Sequence, residues 1–91
     1  MRIRWSPEAA DDFEEIVRYI QKDNHTAARK VALTIYERID ALKKFPNIGR
    51  VGRVQGSREM VLAPLPYIVV YRLKGGVVQI GRILHGAQDY Q

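Results

Sequence analysis

The sequence predicts an α+β domain: a short N-terminal strand, an antiparallel helical hairpin, then a three-stranded antiparallel meander, β-α-α-β-β-β. Three observations predict it. Apolar residues recur at helical spacing through the first half of the chain. After Ser57 the period changes to two. A Gly75-Gly76 pair then separates two β-rich runs, as a hairpin turn does.

Each element has its own justification. "MRIRW" alternates, with Ile3 and Trp5 flanking Arg4, and reads as a short strand. Ser6 can cap a helix and Pro7 suits its first position, while Glu8, Asp11 and Asp12 complement the positive helix end. Phe13, Ile16, Val17 and Ile20 then form one apolar stripe on a helix over about 7–22. "KDNHT" breaks it, and Asn24 or Thr26 caps a second helix reaching Lys44, with Ala28, Ala32, Ile35, Ile39 and Leu42 as its stripe. Pro46 ends that helix, and the short link makes the pair a hairpin. "SREMVLA" (57–63) reads as a strand, "PLP" turns the chain, and "YIVVYRLK" (67–74) and "VVQIGRILH" (77–85) complete the meander. Tyr67, Val69, Tyr71 and Leu73 share one face; Ile68, Val70 and Arg72 share the other.

Composition bounds the rest. The 91 residues suit one domain, 1–91. A chain this short buries only about 60–65% of its unfolded surface, so a partner is expected to contribute to its stability. There is no cysteine, which suits a reducing cytoplasm and removes disulfides and thiolate metal sites. No apolar run reaches the roughly 20 residues of a membrane span, and the N-terminus lacks a signal-peptide core. The expectation is a soluble cytoplasmic protein. Its net charge is +5, of which residues 46–91 hold +4, so an anionic partner is expected there. "FPNIGRVGRVQGSREM" (45–60) concentrates that charge, with three glycines and three arginines.

Taken in order, "SPEAADDFEEIVRYI", "FPNIGR", "SREM", "PYIVVYRL" and "RILHGAQDY" resemble the RelE/ParE superfamily, the toxins of type II toxin–antitoxin systems. The resemblance spans the chain and is closer to the ParE-like branch. It implies a toxin neutralised by a cognate antitoxin, with a homodimer as one form. It leaves two molecular actions: ParE-like inhibition of DNA gyrase by binding, or RelE-like ribosome-dependent cleavage of mRNA. A third reading is an antitoxin-binding module without toxicity.

The candidate residues follow from these alternatives. Arg58, Arg72 and Arg82 suit a basic surface, because a guanidinium pairs bidentately with phosphate or carboxylate. The resemblance raises Arg58 and Arg82 above Arg50 and Arg53, which read as loop residues among turn glycines. For RNA cleavage His85 is the natural acid or base, with Arg58 and Arg82 beside it, since an imidazole titrates near pH 6.5. Its alternative is a structural histidine at a strand end. The family nucleases place an Arg after the aromatic residue of the strand "PYIVVY", where this chain has Ile68. For binding to gyrase the C-terminal "RILHGAQDYQ" offers Arg82, His85, Asp89 and Tyr90. The glycines at 49, 52 and 56 lack the Lys-Ser/Thr of a phosphate loop, and two distant histidines make a poor metal site, so no cofactor or metal is expected.

Overall fold

The computed structural model describes residues 1–86, and its elements follow the predicted order. β1 (Arg2–Trp5) leads into α1 (Pro7–Gln21) and α2 (His25–Asp40). β2 (Arg50–Val51), β3 (Arg58–Val61), β4 (Tyr67–Lys74) and β5 (Val77–His85) then build the sheet.

The helix starts are those the sequence encodes. The Ser6 hydroxyl accepts from the Ala9 N–H at 2.9 Å, with Pro7 in the first helical position. Asn24, rather than Thr26, caps α2 by accepting from the Ala27 N–H at 2.9 Å. α2 stops at Asp40, short of the expected Lys44. Its last turn tightens into a 3₁₀ turn, Ala41–Lys43, which buries Leu42 completely before Pro46.

Five strands form one sheet in the order β1-β5-β4-β3-β2. The meander is antiparallel as expected, but β1 pairs with β5 in parallel. β2 to β5 alternate in direction, so β1 also runs parallel to β3 and antiparallel to β2 and β4. The strand expected over 57–63 shortens to β3, because Ser57 is drawn into a turn by donating its hydroxyl proton to Val54 O at 2.6 Å. The added strand is β2, from a stretch the sequence read only as turns.

The helical hairpin covers one face of the sheet. Ala9, Ile35, Ile39 and Leu42 pack on Met60, Leu62, Tyr67, Val69, Tyr71, Val78, Ile80 and Ile83 in one buried cluster. Trp5 meets Phe13 edge-on, with ring centroids 5.5 Å apart. Alternation sends Arg2, Arg4, Val70, Arg72, Lys74, Val77 and Gln79 to the opposite face, which no helix covers. No helix among the described residues is long and apolar enough to cross a membrane.

Candidate functional site

The arginines of the 45–60 stretch are engaged in holding it together. Glu59, on β3, is 2% exposed. Its Oε1 accepts from Arg50 Nε at 3.2 Å and Nη2 at 2.9 Å, and its Oε2 accepts from the Arg53 N–H at 3.1 Å. Burial alone would raise the Glu59 carboxyl, but the Arg53 N–H and the Arg50 guanidinium together hold it below the usual carboxylate value. Arg58 Nη1 donates to Gly49 O at 2.7 Å and Asn47 O at 3.3 Å, and Arg72 Nη1 donates to Gln55 O at 2.8 Å. Underneath, the Tyr71 hydroxyl donates to Pro46 O at 2.7 Å and accepts from the Gly49 N–H at 2.9 Å. That approach explains one glycine: a Cβ at Gly49 would stand 2.7 Å from the Tyr71 oxygen. The loop is a stapled structure rather than a row of solvated charges.

Arg82 and His85 lie elsewhere, in a cleft of about 420 Å³ between α1 and the upper part of β5. β1 pairs only as far as Ile80, and beyond it α1 supplies the partner that the strand edge lacks. Asp12 accepts from Arg82 Nε at 2.7 Å and Nη2 at 3.0 Å, and from the Ile83 N–H at 2.9 Å. The His85 ring stands edge-on to Tyr67, with centroids 5.6 Å apart. Glu15, Ile16, Tyr19 and Leu84 complete the walls. Burial raises the Tyr67 phenol above its ordinary value, so it stays protonated. Arg82 is the cleft's one cation among the described residues, and it is already paired bidentately with a carboxylate.

The structure therefore brings Arg82 and His85 together and keeps Arg58 apart, bonded to the loop beyond β3. Ile68 is buried, 8% exposed. Asp89 and Tyr90, the remaining candidates, lie outside the described residues. Among the described residues no three metal-ligating side chains converge.

Arg2 and Arg4 were not among the candidate residues expected from the sequence. Register places Arg4 opposite Gln79, and Gln79 opposite Arg72, in one row across three strands. Arg2, Val77 and Lys74 make a second row. All four cations are exposed. Glu59 is the one carboxylate on the five strands, and it is committed to Arg50 and Arg53. A shallow cavity of about 520 Å³ lies on this face, lined by Arg4, Arg72, Gln79 and Gly81 among others. The signal in the sequence was the alternation of "RIRW", which puts both arginines on one side; the parallel pairing that sets them beside β5 was not legible.

A mixed five-stranded sheet with a helical hairpin on one face is the fold that the resemblance to the RelE/ParE superfamily implies. Comparisons with known proteins agree. Residues 3–90 match the family described as the ParE toxin of type II toxin–antitoxin system, parDE. The chain is 42% identical over 89 residues to Y4kP of Sinorhizobium fredii, covering 98% of this chain and 92% of the relative. It is 33% identical over 87 residues to Toxin RelE2 of Caulobacter vibrioides, covering 96% and 97%. A solved structure described as the chromosomal ParDE system from P. aeruginosa superposes with a TM-score of 0.85 at 28% identity, covering 93% of this chain and 95% of that one. The chain belongs to the ParE toxin family. Membership makes it the toxin half of a toxin–antitoxin pair and implies a cognate antitoxin as its partner.

Proposed function

We propose that this toxin acts by binding DNA gyrase rather than by cutting RNA. The observation that carries the reading is the composition of the His85 cleft. Metal-independent RNA cleavage builds negative charge on a phosphorane, which preorganised cations must stabilise. In this cleft Asp12 and Glu15 flank the histidine, and Arg82 is held by Asp12. Arg82 and Asp12 neutralise each other, and the remaining carboxylate, Glu15, repels a scissile phosphate. Ile68, where the nucleases carry an arginine, supports the same reading. Inhibition by binding needs a complementary surface and no catalytic set.

The antitoxin has its own ground on the hairpin. Leu33 and Tyr36, each 56% exposed and one turn apart on α2, follow Arg29 and Lys30 by a turn. An acidic amphipathic helix suits that combination of apolar anchors and cations.

The test is pulse-labelling of a bacterial culture in the minutes after the chain is induced without antitoxin. Expected is an early fall in DNA synthesis with protein synthesis persisting, and the same arrest with His85→Ala. Protein synthesis collapsing first, and surviving in His85→Ala, would reverse the assignment.

A further inference from the structure

We propose that the open face of the sheet binds the phosphate backbone of duplex DNA, without sequence preference, through Arg2, Arg4, Arg72 and Lys74. This goes beyond the gyrase reading and does not rest on it, since the argument is the charge geometry of this chain alone.

Three observations converge. The first is that these cations are available. Arg2, Arg4 and Lys74 have no side-chain hydrogen bond or ion pair among the described residues, and Arg72 commits one nitrogen, to Gln55 O. By contrast Arg50, Arg53 and Arg82 are paired with carboxylates, and Arg58 with loop carbonyls. The second is their spacing. Neighbouring strands lie about 4.8 Å apart and same-face residues about 6.7 Å, so the four backbone positions mark a rectangle of about 10 by 7 Å. A 10 Å length of duplex carries about six phosphates, enough to engage all four side chains at once.

The third observation selects the occupant. Proteins that hold single-stranded nucleic acid stack its bases on aromatic rings. The aromatic residues of the strands, Trp5, Tyr67 and Tyr71, all turn to the helix side, where Trp5 meets Phe13 and the tyrosines sit in the core. The open face offers guanidinium and ammonium groups, the Gln79 amide and small aliphatic side chains; Trp5 and Tyr71 border its cavity, but Tyr71 is fully buried and Trp5 turns its ring to Phe13. Such a surface reads backbone charge and not bases. Gly81 keeps the cavity beside Arg4 and Arg72 open by contributing no side chain.

The test is fluorescence anisotropy of a labelled mixed-sequence 20-base-pair DNA duplex titrated with the purified full-length chain, over a series of salt concentrations. Four phosphate contacts give a slope of log affinity against log salt of about −3.6, or about 150-fold weakening between 50 and 200 mM salt. The double variant Arg2→Gln/Arg4→Gln should flatten the slope by about 1.8, and Lys74→Gln by about 0.9. Arg29→Gln/Lys30→Gln, with the same loss of charge on α2, should leave the slope unchanged. Circular dichroism identifies any variant that has lost its fold, and the two independent sets of substitutions keep the test decisive. No binding at 50 mM salt would overturn the proposal, as would equal loss in the α2 control. So would tighter binding of single-stranded DNA than of duplex, or displacement of duplex by polyglutamate at equal charge, which would assign the array to an acidic protein. Because gyrase is absent from the assay, failure here leaves the gyrase reading standing.

Discussion

Replacing Glu59 by glutamine should destabilise the fold far more than its single-atom change suggests. Every group facing the carboxylate is a donor: Arg50 Nε and Nη2 at one oxygen and the Arg53 N–H at the other. An amide can present its oxygen to only one of these sites, and its NH₂ then meets donors in a place where it is almost wholly buried. A hydrogen bond to a charged group is worth about 1.5–3 kcal/mol, and a buried donor left without an acceptor costs about 1–3 kcal/mol. Arg50 and Arg53 are 54% and 52% exposed, so solvent screens their share. The net loss is about 2–3 kcal/mol, which lowers Tm by roughly 10–20 °C in a domain of this size. The pH dependence has a definite sign. The carboxyl titrates below its ordinary value in the fold, so its contribution is present above the unfolded-state pKa and fades as pH falls through the folded one. Urea unfolding followed by far-UV circular dichroism should therefore show the full gap between wild type and Glu59→Gln at pH 7. The gap should close as pH falls below the ordinary carboxylate value of 4.5. A difference under about 0.5 kcal/mol at pH 7, in the range of an ordinary surface substitution, would refute the reasoning. So would a gap of the same size at pH 3.

Two further substitutions probe the same architecture. Tyr71→Phe removes the hydroxyl that bonds both Pro46 O and the Gly49 N–H, and should cost about 1–3 kcal/mol, seen as a lower urea midpoint at unchanged m-value. Asp12→Asn leaves one acceptor for three donors at the edge of β5. It should cost about 1–2 kcal/mol and accelerate amide exchange at Ile83, whereas exchange unchanged at that amide would show that Asp12 does not hold the strand.

The parts of the fold legible in the sequence were those encoded locally. Ser6, Pro7 and Asn24 announced the helix starts, and the alternation of 67–85 with Gly75-Gly76 gave β4 and β5 their observed bounds. β2 was not legible because only two residues pair, and what holds them is Glu59, eight positions on from Val51. The end of α2 was misread because its apolar stripe runs on through Leu42, and periodicity does not distinguish an α turn from a 3₁₀ turn. The site was legible in kind but not in place. Counting charge by halves pointed to residues 46–91, yet the count includes arginines whose charge is spent on Glu59, on Asp12 and on loop carbonyls. The resemblance raised Arg58 and Arg82, both of which turn out to hold neighbouring elements together. Arg2 and Arg4 belong to the half with a net charge of only +1. They matter because a parallel strand pairing, invisible to periodicity, lays them beside Gln79.

Commitment, more than number, decides what a charged side chain can offer a partner. To recruit Arg82, an anionic ligand must draw it from Asp12, a carboxylate that is 17% exposed and also holds the Ile83 N–H. To recruit Arg50 it must strip a cation from a carboxylate with almost no access to water, and breaking such a pair is strongly unfavourable. A ligand on Arg2, Arg4 and Lys74 displaces only water and counterions, and counterion release favours its binding. The same division separates the two sides of the sheet. On the helix side aromatic and aliphatic groups build the core; over β3 the loop arginines neutralise Glu59 and fasten β2; on the bare face Arg72 holds Gln55 O with one nitrogen, and Arg2, Arg4 and Lys74 have no internal task. A contact surface on this toxin is best sought where charge has no structural work to do, and the register of β1 against β5 locates it.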